Sequence, residues 1–327
     1  MKDVTRLYIG AHDGVRTLDV DRAGRGVETV GELALGHAAA RLAVSGAAEG
    51  RVYLAAYESG LWRSDDGGAT WHGLESYPEP YAHSVAVDPD DADLIYVGAE
   101  PAALYRSTDG GETWEECRAF SGLPEAAQWG FHGSRKSHVR ELRIRPGERG
   151  SIYAGIEVGG IVRSRDGGAT WEQLRGTDPD IHTIHISESR PETVYAATAN
   201  GPYRSDDGGD MWRLVNSGLE KRYSVPVSAA PGDHRRALIS VSDNAGRRSG
   251  ARAYLTTDAG ESWARLNIGA DDDMVIAYSW DPHDPSRVYG GTDSGRLYVS
   301  DDGGEDWEEI DAGLDSIAVG ALAAGPG

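Results

Sequence analysis

Three histidines stand at related places in successive stretches of this chain. His83, Arg140 and His182 share one aligned position, where other stretches carry Ala40, Val225, Ile276 and Gly320. Two residues earlier stand Tyr81, His138, Asp180 and Tyr223, on the same strand face if these segments are extended. Glu100 and Glu157 belong to the turns that follow the next strands. Imidazoles from separate segments, with carboxylates as direct ligands or as partners that orient the rings, form a donor set for a divalent metal: Fe, Mn, Ni or Zn. On this reading His83, His138 and His182 ligate the ion. The same residues also permit metal-free chemistry. Glu100 or Glu157 then serves as general acid or base with His83 or His182 as its partner, and Arg140 clamps an anion. No local signature of the His-Glu-x-x-His kind accompanies them, so histidines solvated around a water-filled channel are the competing reading.

Whether these residues meet depends on the elements that carry them, and those are repeats. Six cassettes recur: RSDDGGATW (Arg63 to Trp71), RSTDGGETW (Arg106 to Trp114), RSRDGGATW (Arg163 to Trp171), RSDDGGDMW (Arg204 to Trp212), TTDAGESW (Thr256 to Trp263) and VSDDGGEDW (Val299 to Trp307). A period of about forty to fifty residues marks a repeat architecture. Within each cassette the Asp accepts hydrogen bonds from its own turn, and the Gly two residues later supplies a positive φ. The Trp then closes the unit. A Ca²⁺ loop is the functional alternative, but the bidentate Glu such a loop needs at its twelfth position is not systematically present. The cassettes therefore read as structural turns.

The cassette resembles the Asp-box, or BNR, repeat of sialidases, sortilin-type receptors, some xyloglucanases and photosystem II assembly factors. The resemblance covers nearly the whole chain and implies an all-β propeller. It says little about activity, because the box is peripheral and accompanies many functions. A sialidase reading fails for want of the FRIP-like segment and arginine triad. A xyloglucanase-like reading needs two propellers and paired catalytic Asp, and is disfavoured.

Short apolar strands with Gly and Pro punctuation fill the intervals between boxes. Aligning on Tyr53, Tyr96, Tyr153, Tyr195 and Tyr289 gives complete blades at about 37–80, 81–120, 138–178, 180–219, 223–269 and 274–312. The N-terminal residues 1–33 supply three strands and lack a first one, and 315–327 read as a first strand alone. The expectation is one domain, 1–327, a seven-bladed ring whose last blade is shared by both ends. Strand 316–324 then pairs with 5–11, Gly327 lies near Met1, and no sheet edge is left free.

In propellers the first strands line the channel, so the resemblance places Tyr81, His83, His138, Arg140, Asp180, His182 and Tyr223 in one sector of its mouth. The loops between second and third strands add His12, Glu58, Glu100, Glu157, Asn200, Asp243 and Asp293. The longest insertion, 117–137, brings Trp129, Phe131, His132, Arg135 and Lys136 towards the same face, as a binding loop would. The remaining His72, His185, His234 and His283 read as structural.

The net charge of −21 over 327 residues argues against nucleic acid and anionic membranes as partners. Lys2, Lys136 and Lys221 are the only lysines. An acid-rich, lysine-poor surface fits a halophilic host, and a GC-rich genome is the alternative. A single cysteine, Cys117, excludes an intrachain disulfide. The opening residues show no signal pattern and no apolar run approaches a membrane span, so a cytoplasmic protein is expected. Two functions remain. One is a propeller that binds or transforms a small or glycan-like ligand at the channel mouth. The other is an assembly scaffold presenting an arginine patch (Arg135, Arg140, Arg222, Arg247 and Arg248) to a protein partner.

Overall fold

Each repeat folds its tyrosine-bearing segment into the interior of a four-stranded antiparallel sheet, and seven such sheets form the molecule. The structure is a computed structural model that describes residues 4–23, 25–130, 136–245, 249–269, 272–314 and 319–326. Blade one shows the plan, with strands Ala39–Val44, Val52–Ala56, Gly60–Ser64 and the two-residue His72–Gly73. The other first strands are Ala82–Asp88, Val139–Ile144, Ile181–Ile186, Tyr223–Ala230, Val275–Trp280 and the C-terminal Val319–Pro326. Each packs beside the next, closing a ring.

Both ends of the chain build blade seven. Val319–Pro326 pairs antiparallel with Val4–Ala11, from Ala11 opposite Val319 to Thr5 opposite Pro326. Strands Gly14–Asp21 and Val27–Ala34 complete the sheet. Residues 315–318 of the expected closing strand, and Met1 and Gly327, lie outside the described residues.

The aligned tyrosines explain how flat sheets become a ring. Tyr53, Tyr96, Tyr153, Tyr195 and Tyr289 are at most 2% exposed, so each ring fills a joint between blades. Four of their hydroxyls donate across the joint: Tyr53 to Ala92 O, Tyr96 to Gly167 O, Tyr153 to Gly208 O and Tyr195 to His234 O. A buried aromatic with its polar tip satisfied adds packing at no desolvation penalty.

The boxes are closed networks. In the third, Ser164 Oγ donates to Asp166 Oδ1 at 2.9 Å and accepts the Gly168 N–H at 2.8 Å. Asp166 in turn accepts the N–H and hydroxyl of Thr170 at 2.8 and 2.6 Å. Ser64–Asp66–Thr70, Ser107–Asp109–Thr113 and Thr256–Asp258–Ser262 repeat the arrangement. With every acceptor used inside the turn, each box carboxylate is held below the ordinary range, Asp109 at about 2 through its bonds from Thr113.

The arginine that opens four boxes has its own task. Arg63, Arg106, Arg163 and Arg204 donate to the backbone of the following blade's box, at Gly110 O, Gly167 O, Gly208 O and Ala259 O. Arg6 and Arg236 do the same from second strands, reaching Gly67 O and Gly303 O. Arg287 closes the last joint on Arg22 O. The box face of the ring is thus stapled by arginine at every joint.

Candidate functional site

Strand register separates the two faces. In blade three Ile144, Ile152 and Ser164 lie abreast at the box end, and Val139, Ile156 and Gly160 lie abreast at the other. His138 and Glu157 therefore sit at the end opposite the boxes, where the Glu157 N–H bonds to His138 O. The Glu100 N–H bonds to Tyr81 O in the same way, fixing the corresponding turn in blade two.

Five of the expected residues converge there. The His83 and His138 rings stack with centroids 3.9 Å apart. His83 Nε2 lies 3.0 Å from Glu100 Oε2. His138 Nε2 lies 2.8 Å from Glu157 Oε2, and Arg140 donates to that same oxygen at 2.9 Å. Because the Glu157 carboxylate is an acceptor, His138 Nε2 carries a proton, and in the neutral tautomer Nδ1 is then a lone pair. That Nδ1 is buried without a hydrogen-bond partner and points towards Glu100 Oε2, 3.7 Å away. Desolvation and the neighbouring His138 push the pKa of His83 down to about 3, against the opposing pull of Glu157, so its imidazole is neutral at ordinary pH.

His182 does not join this group. Its Nδ1 donates to Ser224 O at 2.6 Å, its Nε2 lies 3.5 Å from Asp180 Oδ1, and its ring packs on Tyr223 with centroids 4.6 Å apart. Among the described residues the set able to hold a cation is instead His83, Glu100 and His138, whose ligand atoms all lie within 4.8 Å of one another. Asp180, His182 and Tyr223 form a second polar cluster on blades four and five.

Trp129 stands beside the turn that follows Glu157, its Nε1 bonded to Gln173 and its ring 5.1 Å from buried Phe120. The insertion folds there as two short helical segments, Arg118–Ser121 and Pro124–Gln128. Lys136 is exposed, and Phe131, His132 and Arg135 lie outside the described residues. The residue of blade one that corresponds to Glu100 and Glu157 is Tyr57, whose N–H bonds to Ala38 O. Its ring packs against Tyr81 and His83 at 5.2 and 5.1 Å, and Glu58 pairs with His37 instead. Tyr57 was legible: it follows Tyr53 by the same four residues that separate Glu100 from Tyr96.

Arg41 and Glu141 were not singled out by the repeat alignment. Arg41 Nε of blade one bonds Glu141 Oε2 of blade three at 3.2 Å, spanning the channel past blade two, and its Nη2 reaches His182 O. Arg143 holds the other Glu141 oxygen at 3.1 Å.

Among the described residues no helix is long and apolar enough to cross a membrane. The BNR/Asp-box repeat model matches residues 105–116, and the Sortilin-Vps10 model (sortilin, neurotensin receptor 3) matches 159–280. A xyloglucanase from a Paenibacillus species is 28% identical over 244 residues, 70% of this chain and 22% of that protein. A GH74 xyloglucanase of known structure from Xanthomonas campestris superposes with a TM-score of 0.66 at 21% identity, over 83% of this chain and 45% of the enzyme. A YCF48 protein bound to a D1 peptide superposes with a TM-score of 0.61 at 19% identity, over 84% of this chain and 82% of that one. The chain thus spans less than half the length of either xyloglucanase.

Proposed function

We propose that this seven-bladed Asp-box β-propeller binds a small polar or glycan-like ligand at the channel mouth opposite its boxes. A divalent cation (Fe, Mn, Ni or Zn) is held there by His83, Glu100 and His138. The observation that carries the reading is His138 Nδ1, a buried ring nitrogen without a hydrogen-bond partner, facing a carboxylate and a second imidazole. Burying such an atom costs free energy that only a ligand, a proton or a cation recovers. Glu157 accepts the Nε2–H hydrogen bond and turns the other ring nitrogen inward, as carboxylates behind metal-bound histidines do.

The chain's residues divide the work. Glu157 orients His138, and Arg140 neutralises Glu157 and offers its remaining N–H groups to an anionic or hydroxylated ligand. Tyr57 and Tyr81 form an aromatic edge on which a sugar ring can stack. When bound, the cation supplies Lewis-acid polarisation of a ligand oxygen. One ion cannot lie in the planes of two parallel rings 3.9 Å apart at a ligand distance of about 2.1 Å, so binding must splay the stack. The xyloglucanase relatives make glycans the first ligand class to test. Calorimetry with xyloglucan oligosaccharides should show binding by wild type and loss in Glu157→Gln. Equal binding by the two proteins would move the ligand elsewhere.

A protein-interaction scaffold is the second reading, favoured by the near full-length superposition on a YCF48 propeller bound to a peptide. Of its expected arginine patch, Arg222 is exposed and Arg140 is engaged with Glu157. Arg135, Arg247 and Arg248 lie outside the described residues. Retained peptide binding by Arg140→Gln, with loss on Arg222→Glu, would favour this reading over the first.

A further inference from the structure

Below the mouth the channel holds a cavity of about 750 Å³ that takes in none of the residues of the mouth site. Its rim includes Pro146, Glu188, Pro231 and Pro282, in the turns after the first strands, so it opens on the box face. The Arg41–Glu141 bridge lies at its inner end and separates it from the mouth. A cavity of this size is in the range that encloses a small organic ligand.

Its wall is divided by blade. Blades one, three and four contribute Arg41, Glu141, Arg143, His185 and Glu188, whereas blades five to seven contribute mainly apolar groups such as Pro226, Val227, Ala277 and Leu322, with Asp281 and His283 at the box end of blade six. Within the charged half Glu141 is almost fully buried and shared by two arginines, which leaves one positive charge in excess at that inner cluster, away from the exposed Glu188 at the rim. Arg41 spends its guanidinium on Glu141, Ala40 O and His182 O. Arg143 donates Nε to Ile184 O and Nη2 to Glu141, which leaves Nη1 open. His185, on the neighbouring first strand, has no hydrogen-bond partner among the described residues and lines the same space. Burial and the Arg143 charge push its pKa down to about 3, so it is a neutral donor and acceptor there. Glu188 is exposed at the rim, and Asp281 is neutralised by Arg22.

We propose that this cavity is a second ligand site, reached from the box face, for a small carboxylate carrying an apolar portion. Its carboxylate pairs with Arg143 Nη1 and the His185 ring, and its apolar portion lies on the mainly apolar half of the wall. Charge-assisted bonds to arginine fix the head, and burial of the tail supplies the remaining affinity. Arg143 is accordingly the residue that selects for negative charge.

Hexanoate, hexylamine and inorganic phosphate are the probes, titrated by calorimetry into wild type, Arg143→Gln, His185→Leu and the mouth variant Glu100→Gln. Hexanoate should bind wild type and Glu100→Gln alike, at least tenfold more weakly to Arg143→Gln, and several-fold more weakly to His185→Leu. Hexylamine and phosphate should bind far more weakly than hexanoate. If Arg143→Gln loses its cooperative melting transition, His185→Leu decides. No hexanoate binding to wild type, equal affinity in wild type and the folded channel variants, or equal binding of hexylamine or phosphate would each overturn the proposal. Loss in Glu100→Gln would also overturn it, by placing hexanoate at the mouth.

Discussion

The imidazoles of His83 and His138 stack face to face, with their planes inclined by only 20°. Two rings in that relationship cannot both be charged without strong repulsion, and each has a glutamate at its edge to take a proton: Glu100 for His83, Glu157 for His138. The pair is a stack suspended between two carboxylates.

That stack makes the metal-free protein acid-sensitive. The folded-state pKa of His83, about 3, lies below its ordinary value of 6.5, so on acidification the unfolded chain takes up the proton first. The stability His83 contributes is complete above pH 6.5 and is lost as pH falls towards 3. Urea midpoints measured between pH 7 and pH 4 in chelator-treated protein should fall less steeply for His83→Gln than for wild type. Identical slopes would contradict a neutral, desolvated His83.

The arginine staples should be worth more than surface ion pairs. Arg163 is 3% exposed at its side chain and holds Gly208 O together with Glu172 and Asp210. Arg163→Met removes a buried, charge-assisted bond to Gly208 O, leaving that carbonyl to Tyr153 alone, and should cost about 1–3 kcal/mol. Arg165→Met, half exposed on the same carboxylates, should cost under about 0.5 kcal/mol. Equal effects in chemical denaturation would mean that Arg163 is no staple.

A box is tested through its buried hydroxyl. Ser164→Ala removes the acceptor of the Gly168 N–H and should destabilise by about 1–3 kcal/mol. Ligand binding at the mouth, on the opposite face, should be unchanged. Loss of binding without loss of stability would give the boxes a functional role.

Deleting residues 319–327 removes the innermost strand of blade seven and exposes the edge of Val4–Ala11. The melting temperature should fall sharply and the protein should tend to associate through the bared edge. An unchanged, monomeric melting curve would contradict the clasp.

The fold was legible because its signals are local. A serine or threonine, an aspartate, one or two glycines and a tryptophan define each box, and a tyrosine at fixed spacing marks most joints, with Leu238 in its place in blade five. The meeting of His83, Glu100, His138, Glu157 and Arg140 was legible too, since alignment of repeats transfers directly to a ring. His182 occupies the same aligned position as His83, yet the Ser224 carbonyl captures its Nδ1, and no repeat pattern encodes that rotamer. The Arg41–Glu141 bridge joins blades that are not neighbours, so nothing in the spacing of either strand announces it. Trp129, expected as a ligand contact within the long insertion, stands beside the turn that follows Glu157, where the next residue's N–H bonds Val158 O and Gln173 holds its Nε1.

The proposed cation site at the mouth rests on His83, Glu100 and His138. Calorimetric titration of Mn²⁺, Ni²⁺ and Zn²⁺ (and Fe²⁺ without oxygen) into chelator-treated wild type, His138→Ala and His182→Gln tests it most directly. At least one ion should bind wild type and His182→Gln at a single site with similar affinity, and bind His138→Ala at least tenfold more weakly. Equal, weak binding by all three proteins would contradict this site, and loss in His182→Gln with retention in His138→Ala would move the ion to the other cluster.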